Sequence, residues 1–363
     1  MNSPNKIHYF PKIDGLRCFA ICLVLIEHFP PWIGRFFLSG YYGVDLFFVI
    51  SGFLITKILY QNNNRSFSSA YFNFLGRRTL RIFPIYYLTI AVLYLVNNEI
   101  VHHYLIYFLT YTYNYAWVKF KIPISEVHPF WSLCVEEQFY LFWPFVVLSL
   151  RKKSHVLLGV IAVIVLTGFL QKTLNIFPSL TDYNGAGLLT RMASLGLGAF
   201  GAVYSVHYKL PSKIFASKWV EYFILLIVLP ISLIFHFNLN AVLLAFVSLF
   251  LVLKAAYFQF YIPKLDKLLQ QKKVLYIGAI SYGIYVYHEP LIYYFNIYIF
   301  SPIWNSINFS FFPLLKWQSW ALKGPIYLVI TLVFASISFK YLERPILSLK
   351  NKWFKYKVTK VEN

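Results

Sequence analysis

A chain of 363 residues that is 59% hydrophobic and only 13% charged, with 37 Phe and 30 Tyr, does not have the make-up of a soluble globular domain. Its apolar residues come in runs about 20 long, which describes bilayer-crossing α-helices and excludes the short alternating segments of a membrane β-barrel. The net charge of +20 does not point to nucleic acid, because the Lys and Arg residues fall in short connections between apolar runs, where they set orientation and meet anionic lipid.

The runs predict an all-α, polytopic membrane bundle of about ten spans over residues 1–346, followed by a basic cytoplasmic tail, 347–363. Span 1 covers about 13–29 and ends at Pro30 and Pro31. It is expected to be retained, because no small-residue cleavage site follows it and it contains Asp14 and Arg17. Span 2 covers about 43–60, with Ser51-Gly52 at its middle suited to a close helix approach or a local bend. A polar connection with Arg65, Arg77, Arg78 and Arg81 then leads to span 3, from Pro84 to Asn97. Residues 100–118 are long enough to cross, but so rich in Tyr that they are expected to lie along the outer interface. Further spans follow at about 132–150, 155–171, 187–206, 219–236, 239–257, 274–294 and 323–343. The basic connections 151–153, 209–218 and 254–273 then fall on the same side as Arg65–Arg81. The tail, with Lys350, Lys352, Lys355, Lys357 and Lys360, joins them, so both termini are expected in the cytoplasm. Cys18, Cys22 and Cys134 all sit in apolar helical context and read as core packing, not as a disulfide framework or a metal site.

Span 1 carries the most informative residues. Asp14, Arg17, Glu27 and His28 lie within it, and charge in hydrocarbon costs several kcal/mol, so these side chains face a protein interior or a wet cavity. Arg17 and His28 are eleven residues apart, about three helical turns, which puts both on one face and about 16 Å apart along the axis. On the expected topology His28, Asp45, His128, Ser132, Glu136, Glu137 and His288 gather toward the outer side. A histidine beside carboxylates suits general-base chemistry. Ser132, Glu136 and Tyr140, spaced by four, share a helix face. Arg17, Arg77, Arg78 and Arg81 lie toward the inner side and form an anion site. A substrate that needs both ends is long, thin and polyphosphorylated at one of them.

Plainer readings stand beside these. His28 also suits a carbonyl contact at a helix end, the arginines also suit a topology signal, and Asp45 also suits the favoured acid of a helix N-terminus. Glu136-Glu137 is harder to explain away, because adjacent carboxylates point about 100° apart and no rotation hides both from lipid. His102, His103, His155, His207 and His236 read as loop or interface residues.

The blocks IDGLRCFAICLVLIEH, YYGVDLFFVISGFLIT, RRTLRIFPIYY, HPFWSLCVEEQFYLFWP, SYGIYVYHEPL and KYLERPI follow one another in order over about residues 10–346. Together they resemble the acyltransferase-3 family of bacterial membrane O-acyltransferases, with Cys134 standing where a small polar residue is commoner. The resemblance does not extend to the esterase-like extracytoplasmic domain that some relatives carry after the membrane part. It implies transfer of an acyl group, usually acetyl, from cytoplasmic acetyl-CoA to a sugar hydroxyl outside the bacterial cytoplasmic (inner) membrane. The implied acceptors are lipopolysaccharide O-antigen, capsule, exopolysaccharide, peptidoglycan or another glycan, free or lipid-linked. It places the CoA phosphates on Arg77, Arg78 and Arg81, with Arg17 beside them, and the thioester beside His28. His28 is then the expected base, oriented by Asp45, Glu136 or Glu137, with His288 in the same catalytic group and no metal required. Direct transfer and an acyl-histidine intermediate both fit. The competing class is a transporter or flippase of a lipid-linked sugar, which calls for paired broken helices in two related halves. No such repeat is visible.

Overall fold

The computed structural model describes residues 9–29, 39–61, 66–174, 186–234, 240–307 and 319–354. Among them there is helix and no strand. The long helices are α1 (Pro11–His28), α2 (Ser39–Gln61), α3 (Phe67–Leu95), α4 (Phe130–Leu150), α5 (Ser154–Leu174) and α6 (Leu188–His207). They continue with α7, which runs from Lys218–Phe223 through a π turn at Ile224–Val228 into Leu229–Ile234, and α8 (Asn240–Tyr257). Last come α9 (Lys272–Phe295) and α10 (Ser319–Ser338), each prolonged through a π turn. Five stretches are long and apolar enough to cross a membrane: Gly40–Tyr60, Phe67–Leu95, Phe130–Leu150, Ser154–Gln171 and Leu322–Lys350. α1 falls outside that group because Lys12, Asp14, Arg17 and Glu27 lie within its 18 residues.

Helix boundaries follow local chemistry. Pro11 occupies the first position of α1, where its missing N–H is no loss. The Ser66 side chain accepts the Ser69 N–H and caps α3. α3 then runs unbroken through Pro84. This corrects the expected boundary: Arg77, Arg78 and Arg81 lie inside a 29-residue helix and not in a connection ahead of it. Residues 99–119 form three short helices, Glu99–His103, Leu105–Leu109 and Tyr113–Lys119, and not one spanning helix. Tyr111, with φ of 53°, is one of the residues that interrupts them. Pro30, Pro31, Arg65, His236, Lys355, Lys357 and Lys360 lie outside the described residues.

α2 is the central helix, packed against α1, α6, α8 and α4. A Cβ on Gly52 would lie 1.9 Å from the Leu195 carbonyl oxygen of α6, and one on Gly198 would lie 2.1 Å from the Val49 oxygen of α2. The two backbones therefore touch where both lack side chains, the close approach expected of Ser51-Gly52. α1 lies between α2 and α9.

Two buried ion pairs tie the bundle. Asp45 accepts from Arg191 at 3.0 Å and from Ser194 at 3.1 Å. The Arg191 guanidinium also sits over the rings of Tyr41 and Trp131, at 4.6 and 4.9 Å. Lys254 donates to Glu221 at 2.7 Å, and Glu221 also accepts the backbone N–H groups of Tyr261 and Ile262. These partners satisfy charges that would otherwise be expensive to bury. Cys18 and Cys134 are core residues as expected, whereas Cys22 is exposed on the surface of α1.

Candidate active site

α1 sets the axis of the site. Near its start Arg17 lies 3.4 Å from Asp14, and its last residue is His28. Around the Arg17 end is a cavity of about 190 Å³ between α1, α2, α3, α4 and α9. Arg17, Arg78, Arg81, Ser51, Glu136 and Tyr140 supply much of its polar wall. Glu136 is firmly held: Ser51 donates to one carboxylate oxygen at 3.1 Å and Tyr140 to the other at 3.0 Å. The Arg78 guanidinium lies 5.3 Å above the centre of the Tyr140 ring. Three guanidinium groups facing Glu136 and Asp14 leave a surplus of positive charge, which suits a bound polyanion.

Arg77 does not share this cavity. It donates to the carbonyls of Phe354, at 2.7 Å, and Lys350, at 3.4 Å, and so anchors the C-terminal helix Arg344–Trp353 to α3. Glu137 is half-turned away from the cavity, and its Oε1 is buried without a hydrogen-bond partner.

The other end of α1 meets α9. His28 Nδ1 contacts Glu289 Oε1, with side chains 27% and 21% exposed. The His28 and His288 rings pack edge to face, 5.1 Å between centres. His288 is fully buried, and its Nδ1 meets the Tyr285 carbonyl at 2.7 Å. Its Nδ1 is thus the protonated nitrogen, since a carbonyl can only accept. His128 lies just ahead of α4, edge to face with Trp117 at 4.5 Å. Burial, and then the nearby His28, pull the His128 pKa down to about 4, so this imidazole is neutral at ordinary pH.

The carboxylate on His28 is therefore Glu289, which sequence reasoning missed. The signal was present: a carboxylate within the apolar run of α9, next to His288 in the stretch HEP. Asp45 is committed to Arg191, and Glu136 to Ser51 and Tyr140, so neither reaches His28. Arg191 was likewise missed, although it is a lone charge in the expected span 187–206.

Among the described residues, the lining of the arginine cavity does not reach the His28 end of α1. The cavity lining stops at Ser132 and Tyr285, whose hydroxyls share a 2.7 Å hydrogen bond, and both hydroxyls also lie within hydrogen-bond distance of the Pro129 carbonyl. His28 is not part of the lining. Tyr285 borders both regions. Its phenol faces the arginine cavity and its carbonyl holds His288.

The described helices form a bundle with apolar spans that shelters a cationic cavity at one level and a histidine–glutamate pair at another, which marks a polytopic membrane protein with polar groups held inside it. The chain belongs to the acyltransferase family: the Acyltransferase domain model matches residues 10–340. It is 27% identical to the peptidoglycan O-acetyltransferase OatA of Listeria monocytogenes over 96% of this chain and 57% of that protein. It is 26% identical to the O-acetyltransferase OatA of Staphylococcus aureus over 96% of this chain and 58% of the relative. A Bacillus subtilis protein described as a candidate peptidoglycan O-acetyltransferase, YrhL, is 28% identical over 93% of this chain and 55% of its own length. The chain thus spans a little over half the length of these relatives. No solved structure matches.

Proposed function

We propose that the protein is a multi-pass O-acetyltransferase of the bacterial cytoplasmic membrane that moves acetyl from cytoplasmic acetyl-CoA to a hydroxyl of an extracytoplasmic glycan. The names of the Listeria monocytogenes and Bacillus subtilis relatives favour a peptidoglycan acceptor over lipopolysaccharide O-antigen, capsule or exopolysaccharide. The observation that carries the reading is the pair of ends of α1: Arg17 in a three-arginine cavity, and His28 against Glu289 about 16 Å away. On this reading the chain crosses about ten times with both termini in the cytoplasm, and the arginine cavity faces inward.

In the proposed reaction the diphosphate of the donor lies on Arg78, Arg81 and Arg17, and its thioester arm points toward Ser132 and Tyr285. The Ser132–Tyr285 pair lines the end of the cavity that the thioester would pass on its way to His28. His28 then takes the proton from the acceptor hydroxyl as its oxygen attacks the thioester carbonyl. The tetrahedral adduct collapses, the C–S bond breaks, and the thiolate recovers that proton from the imidazolium. Glu289 orients the ring and stabilises its charged form, and Glu136 holds the cavity wall. Attack by His28 itself, giving an acyl-imidazole that the acceptor then resolves, uses the same groups in two steps.

The test is purified protein in nanodiscs with labelled acetyl-CoA and a panel of envelope glycans, comparing wild type with His28→Ala. Loss of about 10²–10⁴-fold in transfer is expected from removing a general base. Near-normal transfer by a folded His28→Ala protein overturns the assignment. Unchanged glycan acetylation but lost glycan export in cells without the gene points to a transporter instead.

A further inference from the structure

His288 has a feature that the proposed transfer does not use. With its Nδ1 proton committed to the Tyr285 carbonyl, Nε2 carries a lone pair, and that atom is buried without a hydrogen-bond partner. A neutral imidazole pinned through one nitrogen to a backbone carbonyl and open at the other is the arrangement of a metal-ligating histidine. Two more donors are at hand. One ligand atom each from His28, His288 and Glu289 lie within 4.8 Å of one another. Glu27, next along α1, accepts the backbone N–H of Gly40 and lies outside this group.

We propose that His28, His288 and Glu289 form a binding site for a divalent transition-metal ion of the zinc type. Two imidazoles and one carboxylate are a borderline-soft set that suits zinc or cobalt and does not suit magnesium or calcium, which take oxygen ligands. A tetrahedral ion about 2.0–2.1 Å from each ligand holds its donors roughly 3.3 Å apart, so α1 and α9 need only small side-chain adjustments to close on it. Three protein ligands leave the fourth position to water. Occupancy also ties up the His28 imidazole and the Glu289 carboxylate, which the base chemistry requires, because a metal-bound imidazole whose other nitrogen is protonated has no lone pair to take a proton. Metal and acetyl transfer therefore compete, and the bound ion is an inhibitor. The binding itself stands on geometry alone; only the inhibition rests on the role proposed for His28.

The experiment titrates cobalt(II) into chelator-treated full-length protein in nanodiscs and reads its visible absorption, with zinc as competitor. One cobalt per chain, displaced by one zinc, is expected. His288→Asn keeps the N–H that meets the Tyr285 carbonyl but lacks the second nitrogen, and Glu289→Gln keeps the shape of the side chain. Each is expected to weaken cobalt binding tenfold or more while the melting temperature holds, whereas His128→Gln leaves binding unchanged. Absent saturable binding, or equal affinity in both ligand variants and wild type, overturns the site. Should His288→Asn fail to fold, Glu289→Gln decides alone. In wild type, zinc is expected to suppress acetyl transfer in step with its occupancy; full transfer by the zinc-loaded protein overturns the inhibition. A protein that binds cobalt as described yet never transfers acetyl keeps the metal site and refutes the proposed activity.

Discussion

Glu289→Gln isolates the contribution of the carboxylate that meets His28. The amide has the same shape and can still accept a hydrogen bond through its oxygen, so the change removes charge and little else. Two unit charges about 4 Å apart at an effective dielectric near 20 interact by roughly 4 kcal/mol. The two side chains are 27% and 21% exposed, so water screens part of this, and about 1.5–3 kcal/mol is a reasonable share to assign to the charge. On the proposed mechanism that energy acts on the imidazolium that His28 becomes during transfer. It should therefore appear in kcat, as a loss of about ten- to hundred-fold, with donor KM nearly unchanged. Glu289→Asp keeps the charge at shorter reach and should fall between wild type and Gln. The assay is initial-rate acetyl transfer in nanodiscs, with melting temperature measured alongside. If Glu289→Gln folds and turns over at the wild-type rate, the carboxylate does not assist His28 and the proposed pair is only a structural contact.

The remaining predictions concern other parts of the chain. Arg78→Ala should raise donor KM by about ten- to hundred-fold, the loss of one or two charge-assisted hydrogen bonds, whereas Arg77→Ala should leave donor KM alone and loosen the C-terminal helix. Equal effects on donor KM would contradict the division drawn between them. Asp45→Ala removes the carboxylate from the buried Arg191 and should cost about 3–5 kcal/mol, seen as a sharp fall in melting temperature or in folded yield. Outside the spans, burial raises the Asp266 pKa, but the Lys12 ammonium at 2.5 Å and the Phe260 N–H outweigh it, so its carboxyl sits below the usual range. Its folded pKa is depressed, so its stabilising effect is complete above the ordinary carboxylate pKa and fades as pH falls toward the lowered one. Asp266→Asn should therefore lower the melting temperature at neutral pH and flatten its decline in acid.

Much of the site could be read from single helices. The spacing of Arg17 and His28 along α1, the shared face of Ser132, Glu136 and Tyr140, and the need to shelter Glu136 all follow from helical periodicity. What periodicity cannot supply is the partner across helices. Glu289 meets a residue 261 positions earlier, and Arg191 reaches Asp45 across 146 positions. Arg77, Arg78 and Arg81 looked alike because Arg81 projects between the other two on the helical wheel. Only the docking of the C-terminal helix decides that Arg81 belongs with Arg78 and leaves Arg77 outside. Pro84 misled the boundary of α3 because prolines are tolerated inside membrane helices, where neighbours satisfy the freed carbonyl.

Tyr285 also matters for the cell as a whole. A protein that offers charged and polar groups at both membrane faces risks becoming a leak for protons and water. On the proposed function, Tyr285, clasped by Ser132 of α4, stands between the arginine cavity and His288, where an aromatic ring can serve as an insulating plug. The same residue braces His288 from behind through its carbonyl, so one side chain and its own backbone serve both regions.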